Sequence, residues 1–219
     1  MIDGMVAHLA KKQDFLWDGS NADGWVYPPS SLKALLKLYL KVSDEDHLID
    51  CTLLYFLLDV SHFDQIGKDI LHGFSSVISV PLSLTRLIEG FWLLDQKQTL
   101  AALDVLLHPS FPLVRSWLPW HPVCITKALL NEEVQGALKY IQFMRPANLE
   151  ERKLHIAVLL HNRCITEALH VLRGQVCEDC IDEMVGDFFE SCLELGLLKE
   201  LLISPFRAEK QVFVGMLFN

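Results

Sequence analysis

Three times in this chain a pair of leucines is followed, after seven, six and seven intervening residues, by Ala-Leu in the same apolar frame. The pairs are Leu93-Leu94, Leu129-Leu130 and Leu159-Leu160; their followers are Ala102-Leu103, Ala137-Leu138 and Ala168-Leu169. Each Ala-Leu is flanked at helical spacing, by Thr99 and Leu106, by Val134 and Ile141, and by Ile165 and Leu172. Residues so spaced share one face of a helix, so a single face is written three times. Ala102, Ala137 and Ala168 stand 35 and then 31 residues apart, within the range of helical hairpins that stack into a solenoid.

Each copy has two halves. The leucine pair closes one helix, a short polar stretch turns the chain (95–98, 131–133, 161–163), and the Ala-Leu helix runs back. A small Ala at the centre of the second helix lets its backbone approach the first, while the large flanking residues fill the groove. No hairpin of this kind buries both apolar faces alone, so neighbours must stack.

The rest of the chain reads as helical too. Ile2, Met5, Val6 and Leu9 begin a first helix extending to about residue 16, followed by a polar, Gly-flanked loop over 18–24. Pro28-Pro29 precedes Ser30, the expected N-cap of a helix over 32–40. Ser43-Asp44-Glu45-Asp46 reads as the acidic first turn of a long, central helix to about residue 60. A weaker helix over 64–74 and a β-branched, strand-like stretch over 75–80 lead to Pro81 and a helix over 82–94. Pro109, Pro112, Pro119 and Pro122 break the connector between the first two copies before a helix over 123–130. Asn148 with Glu151 makes a capping-box pattern, and Gly174 and Gly196 stand where C-terminal caps belong. A last helix lies beyond Pro205. No sustained strand alternation occurs. The expectation is an all-α, solenoid-like stack of antiparallel hairpins in one domain over 1–219, with an irregular helical block over 1–81 and the hairpin repeat over 82–219.

Charge and composition narrow the function. With 51% apolar residues and a mean hydropathy of +0.27, the chain carries more apolar surface than a small core needs, which points to partner contacts. Its net charge is -9 and its basic residues are scattered, adjacent only at Lys11-Lys12 and Arg152-Lys153, so direct DNA binding is not expected. The N-terminus lacks the basic flank and apolar core of a secretory signal. The longest near-continuous apolar stretch, 51–58, is far short of the roughly 20 residues of a membrane-spanning helix. The six cysteines, at 51, 124, 164, 177, 180 and 192, mostly fall within helical patterns, as reduced thiols do.

Candidate chemistry is sparse. Cys177-Glu178-Asp179-Cys180 has the spacing of a zinc or redox pair, but no second ligand pair accompanies it and its acids oppose thiolate formation. The plainer reading is a helix start with two semi-buried thiols. Glu167 and His170 share a helix face as in di-iron bundles, yet only Asp44 and His47 offer a second copy, and a solvated face explains them. No phosphate loop, zinc-protease or serine-elbow motif is present. The expectation is therefore no enzyme, no cofactor and no small-molecule substrate. Trp117 and Trp120, one helical turn apart, have two readings: an exposed protein-binding anchor, or a plug filling the gap where the repeat is interrupted.

Several segments carry a more specific signal. Tyr27-Pro28-Pro29-Ser30-Ser31-Leu32, Tyr55-Phe56-Leu57-Leu58-Asp59, Gly90-Phe91-Trp92-Leu93-Leu94-Asp95, Ala137-Leu138-Lys139-Tyr140-Ile141-Gln142 and Leu159-Leu160-His161-Asn162-Arg163-Cys164 resemble, in order, the helical domain of the ELYS family of nuclear pore assembly factors. The resemblance runs from about Ile2 to Phe218. It implies a scaffold in the nucleus, at the nuclear pore complex of the nuclear envelope, that docks on nucleoporins of the Y-shaped outer-ring complex during pore assembly. Large vertebrate members also carry a β-propeller and a tail with AT-hooks; these 219 residues hold neither, so chromatin binding is not carried over. The shared segments are ones of packing, and no functional residue is carried over with them. The alternatives are a helical-repeat adaptor of another scaffold, such as a vesicle coat, and a small metal or thiol enzyme using Cys177 and Cys180.

Overall fold

A computed structural model describes residues 2–6, 27–29, 31–41, 47–63, 80–108, 120–174 and 178–203. Residues 2–6 are helical. The further helices are α1 (Leu32–Lys41), α2 (His47–Phe63), α3 (Leu82–Asp95), α4 (Thr99–Leu106), α5 (His121–Glu132), α6 (Val134–Phe143), α7 (Leu149–His161), α8 (Ile165–Arg173), α9 (Glu178–Glu194) and α10 (Leu198–Ile203). Among the described residues there is no strand. The fold is all-α and solenoid-like, with neighbouring helices such as α3 and α4, and α7 and α8, packed on one another. The expected helix over 7–16, the loop over 18–24, the acidic turn at 43–46, the segments over 64–79, most of the Pro-rich connector and the last helix lie outside the described residues. The chain divides into two compact units, residues 1–136 and 137–219.

In the first unit α1 packs on α2, α2 on α3, and α3 on both α4 and α5. The core is aliphatic and aromatic: Leu84, Leu87, Ile88 and Phe91 from α3, Ala102, Leu103 and Leu106 from α4, and Ile125 and Leu129 from α5 are buried. Each such side chain contributes about 1.5–3 kcal/mol on burial. Gly90 sits where α3 meets α4, and a Cβ there would stand 2.4 Å from Leu106 Cδ2. Only a residue without a side chain permits this approach. In the second unit α7 packs on α8 and α9, burying Ile156, Val158, Leu159, Leu160, Ala168, Leu169, Met184 and Phe188. The three repeat alanines, Ala102, Ala137 and Ala168, are fully buried.

The leucine pairs have a second task besides filling the core. At the end of α3, Leu93 and Leu94 offer their carbonyls to the N–H groups of Gln98 (2.8 Å) and Lys97 (3.0 Å). Lys97 itself lies in the left-handed region at φ 59°. This is a Schellman cap, which satisfies carbonyls that the ending helix leaves without partners. The third copy repeats it: Leu159 and Leu160 accept from Cys164 (2.8 Å) and Arg163 (2.9 Å), and Arg163 has φ 59°. The sequence repeat is thus also a repeat of one turn.

The same turn closes α9, where Cys192 and Leu193 accept from Leu197 (2.8 Å) and Gly196 (3.1 Å), with Gly196 at φ 68°. Gly196 was expected as a cap, but the full fourth turn was hidden because Cys-Leu replaces Leu-Leu. The second copy departs in the other direction. Expected to turn over 131–133, the chain stays helical to Glu132, and Glu133 (φ -149°) alone separates α5 from α6. Its N–H bonds Leu129 at 2.7 Å, with no left-handed residue. That missing residue is the one by which the second copy is shorter in sequence.

Other boundaries follow local chemistry. α1 begins at Leu32, so Ser31 caps it in place of the expected Ser30: the Ser31 hydroxyl accepts from the Ala34 N–H at 3.2 Å. α5 starts two residues before the expected 123, because a proline is tolerated in a first helical turn. The capping box at α7 forms with one change. Asn148 Oδ1 accepts from Glu151 N–H at 2.9 Å, while the Glu151 carboxylate accepts from the Ala147 N–H at 2.9 Å. Gly174 follows α8 in an extended conformation (φ -64°, ψ 128°), so it ends the helix without a left-handed cap.

Candidate functional site

Three of the segments that carry the family resemblance meet in the first unit. On α2, Tyr55 and Asp59 are four residues apart; on α3, Trp92 and Asp95 are three apart. Each helix therefore presents one donor and one acceptor on the same face. The helices use them crosswise. The Trp92 indole N–H donates to Asp59 Oδ1 at 2.7 Å, and the Tyr55 hydroxyl donates to Asp95 Oδ2 at 2.7 Å. Tyr27, from the Tyr-Pro-Pro segment, donates its hydroxyl to Asp59 Oδ2 at 2.5 Å and its backbone N–H to Asp3 Oδ1 at 2.8 Å. Its ring meets that of Tyr55 edge-on, with centroids 5.4 Å apart, and His62 meets Trp92 in the same way at 5.6 Å.

The cluster is largely withdrawn from water: Tyr55 is 3% exposed and Trp92 9%, and Asp59 is half-buried. Burial, and then the hydrogen bond to Asp59, pushes the Tyr27 hydroxyl far above the ordinary tyrosine range. Tyr55 is raised likewise by burial and by Asp95. Both hydroxyls therefore stay protonated donors. Each Asp59 oxygen receives its own donor, which makes the arrangement a clamp between helices and an unpromising acid–base pair. Charge-assisted bonds of this kind are worth about 1.5–3 kcal/mol each. The signal in sequence was an acid placed one helical turn from an aromatic donor on two largely apolar helices.

The residues singled out from the sequence are placed as follows. Trp120 stands at the N-cap of α5, half-buried, with its ring stacked on Phe91 at 5.9 Å and 24° between planes. Trp117 lies outside the described residues, as does Cys177. Cys180 is in the first turn of α9, and its side chain is not among those described. Cys51, Cys124, Cys164 and Cys192 are reduced thiols. Burial pushes the Cys192 thiol up to about 11, which keeps it protonated and unreactive at neutral pH. Glu167 and His170 are both exposed on α8. Among the described residues no group of three or more His, Cys, Asp or Glu is gathered to hold a metal ion, and no helix is long and apolar enough to cross a membrane. In the second unit a notch of about 30 Å³ is lined by Lys153, Ile156, Met184, Asp187 and Phe188. It has room for about one water.

The clamp gathers segments far apart in the chain into one packing unit, so a family that keeps these segments keeps this fold. A sequence model of the ELYS family, described as nuclear pore complex assembly, matches residues 1–218. The chain belongs to the ELYS family. It is 34% identical over 217 residues, 98% of its length, to Protein ELYS of Xenopus laevis, and 34% identical over 214 residues, 96% of its length, to Protein ELYS of Homo sapiens. It spans 9% of the length of each of these relatives. ELYS homologues are nuclear pore complex assembly proteins, which places the family in the nucleus at the nuclear pore.

Proposed function

We propose that this chain is the helical docking module of an ELYS-type protein and binds nucleoporins of the Y-shaped outer-ring complex as nuclear pores assemble. The observation that carries the reading is the family match across residues 1–218, joined to a fold in which the Tyr27, Tyr55, Asp59, Trp92 and Asp95 side chains are spent on packing helices. The module acts by surface contact, as a single helical domain over 1–219, without cofactor, metal or small-molecule substrate. It neither inserts into membranes nor binds DNA directly: its net charge of -9 opposes attachment to a phosphate backbone. Trp117 and Trp120 are a proposed contact, with Trp120 anchored by Phe91 beneath it.

The test is a pull-down with purified outer-ring Y complex at physiological salt, beside naked DNA and a purified vesicle-coat subcomplex. Retention of the Y complex alone is expected. Retention of the coat subcomplex in its place would favour a general helical-repeat adaptor, and tight, salt-sensitive DNA binding would overturn the charge argument.

A further inference from the structure

In the first unit one helix, α1, shows solvent a face that resembles a core face. α1 buries Leu35 completely and packs on α2. Roughly opposite Leu35 on the helix lie Lys33, Leu36, Lys37 and Leu40, at the i, i+3, i+4, i+7 spacing of a single stripe. All four are exposed, Leu36 by 45% and Leu40 by 82%. Surface helices normally turn a polar face outward. This one shows solvent two leucines at the spacing by which helices pack on one another.

Its charge narrows what covers it. α1 holds three lysines and no acidic residue, within a chain of net charge -9. We propose that the Lys33-Leu36-Lys37-Leu40 face is a docking site for an acidic, amphipathic helix of a partner protein. The partner's apolar side chains pack between Leu36 and Leu40, and its carboxylates pair with Lys33 and Lys37. Charge at such a rim sets partner choice and association rate, and the leucines supply the apolar contact. The inference rests on the docking reading above and names the surface and the chemistry of its partner.

The test uses the 219-residue chain with two exposed-surface variants, Lys33→Glu/Lys37→Glu and Leu36→Asp/Leu40→Asp. Binding to purified outer-ring Y complex is measured by biolayer interferometry, and flotation with vesicles of phosphatidylserine and phosphatidylcholine is run in parallel. The expected result is binding by the parent chain that weakens at least about tenfold in each variant, with unchanged thermal unfolding and no flotation. Binding by the parent should also weaken as salt rises, and the charge-reversed variant should lose that dependence. Equal binding by parent and variants overturns this inference and leaves the docking reading standing. Failure of the parent itself to bind overturns both. Flotation of the parent that the variants lose overturns it differently, by making α1 a contact for an anionic lipid surface.

Discussion

The Trp92 indole N–H and the Asp59 carboxylate meet at 2.7 Å between α3 and α2, and Asp59 takes the Tyr27 hydroxyl on its other oxygen. One carboxylate thus ties three segments, 33 and 32 residues away along the chain. Replacing it leaves two partly buried donors unpaired, each at a cost of about 1–3 kcal/mol. Asp59→Ala should lower stability by about 3 kcal/mol in chemical denaturation. Asp95→Ala, which releases Tyr55 from an exposed helix end, should cost about 1 kcal/mol.

Gly90 and Leu106 meet where α3 packs on α4. Gly90→Ala gains helix propensity of about 1 kcal/mol, but its Cβ lies 2.4 Å from Leu106 Cδ2. Overpacking of a closed core costs about 1–3 kcal/mol. Net destabilisation is therefore expected, and a Leu106→Val background should reduce it. Additive effects in that double-mutant cycle would show that the two residues do not compete for space.

The Schellman turns differ in the residue at their left-handed position. Lys97 pays a backbone strain there that a glycine would not. Lys97→Gly should raise the thermal midpoint, by about 0.5–1 kcal/mol in stability, and Gly196→Ala should lower it by about 1 kcal/mol. Opposite signs at two positions of one motif make this a comparison that a general effect of glycine cannot imitate.

Burial lowers the His155 pKa below its usual value of about 6.5. Above that pH both folded and unfolded chains hold the ring neutral, and its contribution to stability is complete. As pH falls through about 6.5 the unfolded chain takes up a proton that the fold resists, so stability declines until the folded pKa is passed. Denaturation midpoints between pH 7.5 and 5 should fall more steeply in the parent than in His155→Gln. Parallel curves would remove His155 from the account.

The first and third hairpins, α3 with α4 and α7 with α8, were legible in the sequence because Leu-Leu and Ala-Leu fill fixed positions of a helix face, and period alone identifies a face. The turn conformation was not. A left-handed lysine or arginine, as at 97 and 163, carries no mark in composition, whereas Gly196 does. The fourth turn escaped for a related reason: Cys192 does the work of a leucine, and a backbone carbonyl accepts whatever side chain it carries. The clamp was half visible. Tyr55, Asp59, Trp92 and Asp95 all stood within segments that marked the family, but their crosswise pairing depends on the register of α2 against α3, which sequence spacing within each helix does not set.

Crosslinking mass spectrometry of this chain in a pore-assembly extract tests the central claim most directly. The account predicts crosslinks from its lysines to subunits of the Y-shaped outer-ring complex, with Lys33 and Lys37 joined to acidic helical segments. Crosslinks confined to histones or to vesicle-coat subunits, with none to the outer ring, would contradict it.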